Sequence, residues 1–202
     1  ALGVAAGLEP WRLGILGAAV VMGQLSVGIS NDAIDVNRDR RVGRTDKPLA
    51  RGDVPVRIAW IAAGATLIIA LVLSAILGVG MLAAHAIALA SAWSYNAWLK
   101  ATPASVVPFI VSFGLFPSLA TLSAASPVLA APWASTAGAA LGIAVHLTNV
   151  LPDLDDDRST GIRGLPHRMG ARWSAVIASA GIVLGALAVL IGWLLRHDVA
   201  RR

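Results

Sequence analysis

Six stretches of this chain, about 11–31, 55–77, 79–99, 104–124, 130–152 and 172–195, run for roughly 20 residues each with scarcely a charge. That length matches the hydrocarbon core of a bilayer, where every backbone N–H and C=O must find its partner within the protein. An open sheet cannot meet that condition, and a helix can. A large soluble core raises the apolar fraction but does not produce such runs. Composition agrees, with 57% hydrophobic and 13% charged residues, where soluble domains carry about 25% charged. The expected fold is all-α, a polytopic transmembrane helical bundle.

Punctuation between the runs supports this. Val79 and Gly80 form the tightest expected connection, with Gly78 breaking the preceding helix, and Pro103, Pro108, Pro127 and Pro132 mark other ends or kinks. Trp11, Trp60, Trp93, Trp98, Trp133, Trp173 and Trp193 all fall near span ends, where an amphipathic ring is expected to anchor at the headgroups. Six spans in series place the connections 32–54, 100–103 and 153–171 on one side. Those connections hold most of the arginine and lysine, so the positive-inside rule puts them in the cytoplasm of a multi-pass inner-membrane protein. The opening ALGVAAGLEP lacks Met and a basic region, so it is expected to be the tail of an earlier helix and not a signal peptide. Cysteine is absent, which excludes disulfides and thiolate chemistry. The net charge of +5 sits beside the spans, which favours membrane lipid or an anionic substrate as partner, and no nucleic acid.

The first connection is unusual. NDAIDVNRDRRVGRTDKPLARGDV, residues 31–54, packs five aspartates and six basic residues into one segment. It also has a twin. Asn31, Asp35 and Asp39 repeat as Asn149, Asp153 and Asp157, and the same shift of 118 aligns Arg40 with Arg158, Gly43 with Gly161, Pro48 with Pro166 and Gly52 with Gly170. Each copy is a helix end, a charged loop and the start of another helix, and four helices separate the two. Both copies therefore cross in the same sense, as parallel pseudo-repeats around a shared aspartate-rich cavity.

The spacing has a chemical reading. Residues at i and i+4 share a helix face, so each copy is expected to form a ladder of carboxamide and carboxylates. Carboxylates this close repel, and beside a bilayer they need something positive. Hard oxygen donors suit Mg²⁺, which commonly joins a few carboxylates to substrate phosphates, and nearby arginine and lysine would hold the remaining phosphate oxygens. A single D-x-x-x-D is more often a solvated helix end. Two copies with the same asparagine and the same loop spacing argue against that.

These residues resemble the UbiA family of intramembrane prenyltransferases. The first family signature, N-D-x-x-D-x-x-x-D, is complete as Asn31, Asp32, Asp35 and Asp39. The second, D-x-x-x-D, is present as Asp153 and Asp157, and DKPLARGDV is similar to the family's basic-Pro-Leu turn, with Lys47 in the basic place. The resemblance covers the whole chain as a single membrane-embedded domain, 1–202. Family members usually have nine spans, so the start of the first helix and the last two helices are expected to be missing here. It implies Mg²⁺-dependent transfer of a prenyl group from an isoprenyl diphosphate to a small acceptor, typically an aromatic ring. Hydroxybenzoate, a naphthoate, homogentisate, a tetrapyrrole and a glycerophosphate lipid all remain open.

On that resemblance Asp35, Asp39, Asp153 and Asp157 are the expected catalytic metal ligands, with Asp32 as a further ligand and Asn31 and Asn149 supporting. Lys47, Lys100, Arg158 and Arg163 are candidates for the diphosphate or an acceptor carboxylate. The family also carries Y-x-x-x-K at a helix end, whereas Tyr95 and Lys100 here are five apart, about 140° around an ideal helix. Either the helix unwinds before Lys100, or Asn96 takes the near face. Asp155 and Asp156 read as solvated charges. His146 lies on the face of Asn149, deeper in the membrane, as either a structural hydrogen-bonding group or an acceptor contact, while His85, His167 and His197 have no metal-ligand spacing. GAALG at 138–142 is expected to let helices approach closely.

Three rival readings remain. A CDP-alcohol phosphotransferase would need an Asp-Gly start followed by Ala-Arg, which neither acidic stretch supplies. A cation transporter would place its acids at the midplane and not at one interface. A fragment with an open cavity could bind lipid diphosphate without turnover.

Overall fold

The computed structural model describes residues 2–154 and 163–200, apart from the side chains of Asp153 and of residues 196–200. Six long helices carry the architecture: α1 (Pro10–Arg41), α2 (Val56–Leu77), α3 (Val79–Ala97), α4 (Val107–Leu122), α5 (Pro132–Val150) and α6 (Ala171–Ala200). They lie where the apolar runs fall, and the described residues contain no strand. Four of them are long and apolar enough to cross a membrane: α1, α2, the Pro103–Leu122 stretch that contains α4, and Ala171–Leu195 of α6. Of the six spans expected, four meet this measure among the described residues. Helices α3 and α5 are 19 residues each, and polar side chains such as His85, Tyr95, Asn96, His146 and Asn149 lower their apolarity.

The outer surface is what makes this an integral membrane protein. Ile61, Ile68, Val72 and Ile76 on α2 and Ile182, Leu184, Leu187, Ile191 and Leu195 on α6 are exposed. A soluble monomer rarely presents contiguous apolar area on this scale. Inside, the helices meet through small residues, among them Ala19, Ala63, Ala70, Ala140 and Ala144. Without a strong hydrophobic force between helices in lipid, close backbone approach and interhelical hydrogen bonds hold the bundle. His85 of α3 makes one such bond with Ser74 of α2, Nδ1 to Oγ at 2.7 Å. Trp93 makes another, donating from Nε1 to Ser26 Oγ at 3.2 Å while its ring lies 6.2 Å from that of Trp60. Trp93 therefore packs between helices instead of anchoring at the headgroups.

Helix α1 packs most extensively on α2 and α5 on α6, the two pairs that flank the repeated charged segments. The proline and glycine of the repeat build, in each copy, a short helix that ends at a glycine of positive φ. Pro48–Arg51 and Leu165–Met169 are short helices, followed by Gly52 at φ 86° and Gly170 at φ 83°. A side chain would strain either glycine, because positive φ brings a Cβ against the carbonyl. Each short helix is seated on its pair: Leu49 in a cluster with Ala33, Val36 and Ala59, and Met169 against Ala144, Leu147 and Ala178.

The copies differ at the glycine, with ψ 10° at Gly52 and 166° at Gly170, and in the helix that precedes the loop. Helix α1 runs unbroken through Asn31, Asp35 and Asp39, whereas α5 stops at Val150 and tightens into a 3₁₀ turn, Leu151–Asp153. Pro152 has no N–H for the i−4 carbonyl, and its ring crowds that turn. The expected second ladder is thus not a regular α-helical face from Asn149 to Asp153. Asp155, Asp156, Asp157 and Arg158 lie outside the described residues.

The GAALG segment packs as its composition predicts. A Cβ on Gly138 would lie 2.2 Å from the Phe113 carbonyl oxygen, and one on Gly142 would lie 2.4 Å from that of Phe109. Backbone, not a flexible side chain, blocks both positions. Gly142→Ala should lower the thermal unfolding midpoint in detergent, at a cost of about 1–3 kcal/mol for overpacking. Gly64→Ala, with open space around it inside α2, should hold or raise the midpoint, because alanine favours a helix interior over glycine.

Candidate active site

The C-terminal turns of α1 carry the first acidic motif inward. Asp35 and Asp39 are 5% and 2% exposed, a costly position for a carboxylate unless cations hold it. Three do. Asp35 accepts from Arg38 Nη2 at 2.9 Å and, on its other oxygen, from the Lys100 ammonium. Asp39 accepts from Lys47 Nζ at 2.9 Å and lies 3.8 Å from Arg38. Lys47 also pairs with Asp32 at 2.9 Å. The result is one chain of alternating charge, Lys100–Asp35–Arg38–Asp39–Lys47–Asp32.

Each cation reaches the chain because of local backbone structure. Lys47 immediately precedes the Pro48–Arg51 helix, whose last carbonyls receive Arg40: Nη2 donates to Leu49 O at 3.2 Å and Nε to Ala50 O at 3.3 Å. Arg44 and Asp46 pair across the loop through two bonds of 2.9 Å, and the Arg44 hydrogen bond holds the Asp46 carboxyl at about 2. Burial lowers the Lys47 pKa, but the bonds to Asp32 and Asp39 outweigh it and leave the group above the ordinary lysine value. Lys100 is the reverse case: burial dominates, and despite Asp35 its pKa is depressed.

The geometry around Tyr95 and Lys100 answers the spacing question. Helix α3 ends at Ala97, Trp98 adopts φ −152°, and Leu99–Ala101 forms a 3₁₀ turn. The unwinding returns Lys100 to the side of Tyr95. Asn96 is buried as well, donating from Nδ2 to Val27 O at 2.9 Å and to Ser30 Oγ at 3.0 Å, so it ties α3 to α1. Tyr95 stands edge-on to Phe109, with centroids 5.1 Å apart, and Phe113 stacks behind Phe109 at 6.3 Å.

These groups enclose a cavity of about 400 Å³, within the range of small-molecule sites. Of the expected site residues, Asn31, Asp35, Lys47, Tyr95, Lys100 and Asn149 border it. Asp39 and Asp32 stand behind that wall in the ion-pair chain. Arg163 does not border it: its side chain is exposed, because the chain runs along the surface there before the second short helix. The Asp153 side chain, Asp157 and Arg158 lie outside the described residues. Sequence reasoning missed Gln24, Arg38, Arg44 and His167 as lining groups. For Gln24 and Arg38 a signal existed, since they lie seven residues before Asn31 and three after Asp35, on the same helix face. Arg44 and His167 come from loops, where no periodicity points inward.

Among the described residues, no three carboxylate or imidazole groups lie close enough to hold a metal ion. The donor chemistry nevertheless fits a hard cation: Asp32, Asp35 and Asp39 offer carboxylate oxygens, here matched by ammonium and guanidinium groups. Removing one member should expose the coupling. Asp39→Ala should cost about 3 kcal/mol of stability by leaving Lys47 and Arg38 each short of a partner. Adding Lys47→Met should recover part of that loss in the double mutant, whereas simple additivity of the two melting shifts would contradict the pairing.

Comparison with known proteins follows this geometry. The UbiA prenyltransferase family model matches residues 1–199. The digeranylgeranylglyceryl phosphate synthase of Pyrococcus abyssi (strain GE5 / Orsay) is 32% identical over 196 residues, covering 91% of this chain and 65% of that protein. The chain thus spans slightly less than two thirds of the relative's length. A solved structure of digeranylgeranylglyceryl phosphate synthase in membranes matches 96% of this chain and 71% of its own, with a TM-score of 0.70 at 16% identity, a likeness of fold.

Proposed function

The chain belongs to the UbiA prenyltransferase family, and on that premise we propose that it transfers a prenyl group from an isoprenyl diphosphate to an acceptor held in the same cavity. The observation that carries this reading is the charged chain bordering an aromatic-walled cavity at the helix ends. Among the described lining residues Arg38, Arg44, Lys47 and Lys100 face one carboxylate, Asp35. That surplus suits a polyanionic leaving group. Mg²⁺, held by Asp32, Asp35 and Asp39 with Asp153 and Asp157 of the second motif, would neutralise charge developing on the diphosphate.

The remaining work falls to side chains. The C1–O bond of the allylic diphosphate breaks, and its electron pair leaves with the diphosphate. Lys100, Lys47 and Arg38 now donate to carboxylates, and each is within reach of an anion in the cavity. As the diphosphate takes up negative charge, these donors shift from carboxylate to phosphate oxygens and hold it in place. Tyr95, Phe109 and Phe113 keep water from the allyl cation and offer it their ring faces. The acceptor then attacks C1 and releases a proton. Asn31 and Asn149 orient the diphosphate from opposite walls.

The acceptor reading follows the relative. A digeranylgeranylglyceryl phosphate carries two prenyl groups on glyceryl phosphate, so the proposed acceptor is a glyceryl phosphate lipid with a free hydroxyl, whose own phosphate also draws on the surplus of cations. The rival, an aromatic ring, is favoured by the stacked wall of Phe109 and Phe113. The excess of arginine and lysine in the connections supports a site on the cytoplasmic side.

A membrane assay with labelled geranylgeranyl diphosphate, offered either geranylgeranylglyceryl phosphate or 4-hydroxybenzoate, should yield the ether product only with Mg²⁺ present and lose it on chelation. Asp35→Ala and Asp153→Ala should each lower turnover by about 100-fold or more without altering membrane insertion, and undiminished turnover in either would end the assignment. The absence of cysteine permits a second check. A single cysteine at Thr45 should react with an impermeant thiol reagent in inside-out vesicles and stay protected in right-side-out ones.

A further inference from the structure

His146 is 1% exposed, borders the cavity and belongs to none of the charged pairs. Its ring packs against Phe109, with centroids 4.8 Å apart, and stands edge-on to Tyr95 at 5.8 Å. One nitrogen is accounted for: Nε2 lies 3.0 Å from Ser105 Oγ. The other, Nδ1, is buried with no hydrogen-bond partner among the described residues.

Ser105 decides which nitrogen carries the hydrogen. Its Oγ already accepts the Leu165 N–H at 3.0 Å. The hydroxyl hydrogen has one acceptor among the described contacts, His146 Nε2. A hydroxyl that donates to Nε2 leaves the ring hydrogen on Nδ1, because a neutral imidazole has one donor and one acceptor. The orphaned group is therefore an N–H. Buried donors are paired in native structures, and an unpaired one bordering a cavity awaits a partner from whatever fills it.

We propose that His146 Nδ1–H is the hydrogen-bond donor that binds an uncharged oxygen of the acceptor. This rests on the transferase reading and extends it. The diphosphate has its own place among Lys100, Lys47 and Arg38, whereas the rings packed on His146 are those of Tyr95 and Phe109. The other imidazole among the described lining residues is that of His167, so an uncharged oxygen suits His146 better than a polyanion. An ether or hydroxyl oxygen of a glyceryl lipid supplies the matching chemistry, and so does a phenolic oxygen. The bond orients the acceptor so that its nucleophilic atom faces C1. Ser105 serves as a positioning residue, because it fixes the tautomer while clamping the start of the second short helix.

Three substitutions separate this role from a structural one. The shorter amide of His146→Asn reaches the Nδ1 position and falls short of Ser105, while the longer amide of His146→Gln reaches Ser105 and vacates the Nδ1 position. His146→Phe keeps the volume and neither bond. The KM for the acceptor should rise about tenfold in His146→Gln and His146→Phe, and less than threefold in His146→Asn. The KM for geranylgeranyl diphosphate should stay unchanged in all three. Comparing geranylgeranylglyceryl phosphate with 4-hydroxybenzoate identifies which oxygen is bound. Retention of acceptor KM in His146→Gln with loss in His146→Asn would assign the ring to Ser105 alone and overturn the proposal, and so would equal rises for both substrates. A wild-type protein that transfers no prenyl group would refute the function and not this bond. The bond is then read from the thermal shift produced by each acceptor, and equal shifts in wild type and His146→Gln would overturn it.

Discussion

A carboxylate taken out of water must be matched by positive charge, and here two of them sit almost fully buried at the end of one helix. Everything around the cavity answers to that demand. Lys47 comes from the loop after α1, Lys100 from the unwound end of α3 and Arg38 from α1 itself, so three separate pieces of chain converge on Asp35 and Asp39. The fold places each cation by a local device: a short proline-started helix behind Lys47, a 3₁₀ turn under Lys100. Such a cluster is weak evidence for stability, since apolar groups of the same shape often serve a core as well or better. Its place on the wall of a cavity points to function.

The surrounding helices solve a different problem. Lipid gives helices little reason to associate, so contact must come from shape and from polar bonds across the interface. Ser26, Ser74, Trp93 and Asn96 supply the bonds, and alanines and glycines supply the shape. His85, Tyr95, Asn96, His146 and Asn149 make α3 and α5 less apolar than their neighbours, and both helices line the cavity. The division of labour is visible in composition: α2 and α6 present exposed apolar faces, while the inner helices carry side chains that need partners.

Much of this was legible in the sequence because it is periodic. The six apolar runs fall on the six long helices, and the repeated Pro and Gly, 118 residues apart, predict two like turns that the fold contains. GAALG marks a close helix contact for the reason that its composition suggests. What the sequence concealed depends on single residues interrupting a period. Pro152 converts the second ladder into a 3₁₀ turn. The Trp98 conformation cancels an expected separation of Tyr95 and Lys100, and only a folded chain shows that α3 ends there. Trp93 looked like an interfacial anchor because its distance from a span end was visible, while Ser26, its partner, is far away in sequence. Arg163 carried the right charge near the right motif and still faces outward, since no helical face fixes its direction.

The contact between α4 and α5 has a consequence for how such a cavity could diversify. At Gly138 and Gly142 the two helices touch through main-chain atoms, and Phe109 and Phe113 ride on the turns that touch. That wall has no adjustable thickness: any side chain added to it wedges the bundle open before it reshapes the pocket. The opposite wall, where Gln24, Val27 and Gly28 border the same space, meets no such obstruction, and a Cβ at Gly28 finds nothing within 4 Å. Divergence in ligand size within this scaffold therefore has one inexpensive direction, the α1 side, while the aromatic side acts as a fixed ruler against which any new ligand is measured.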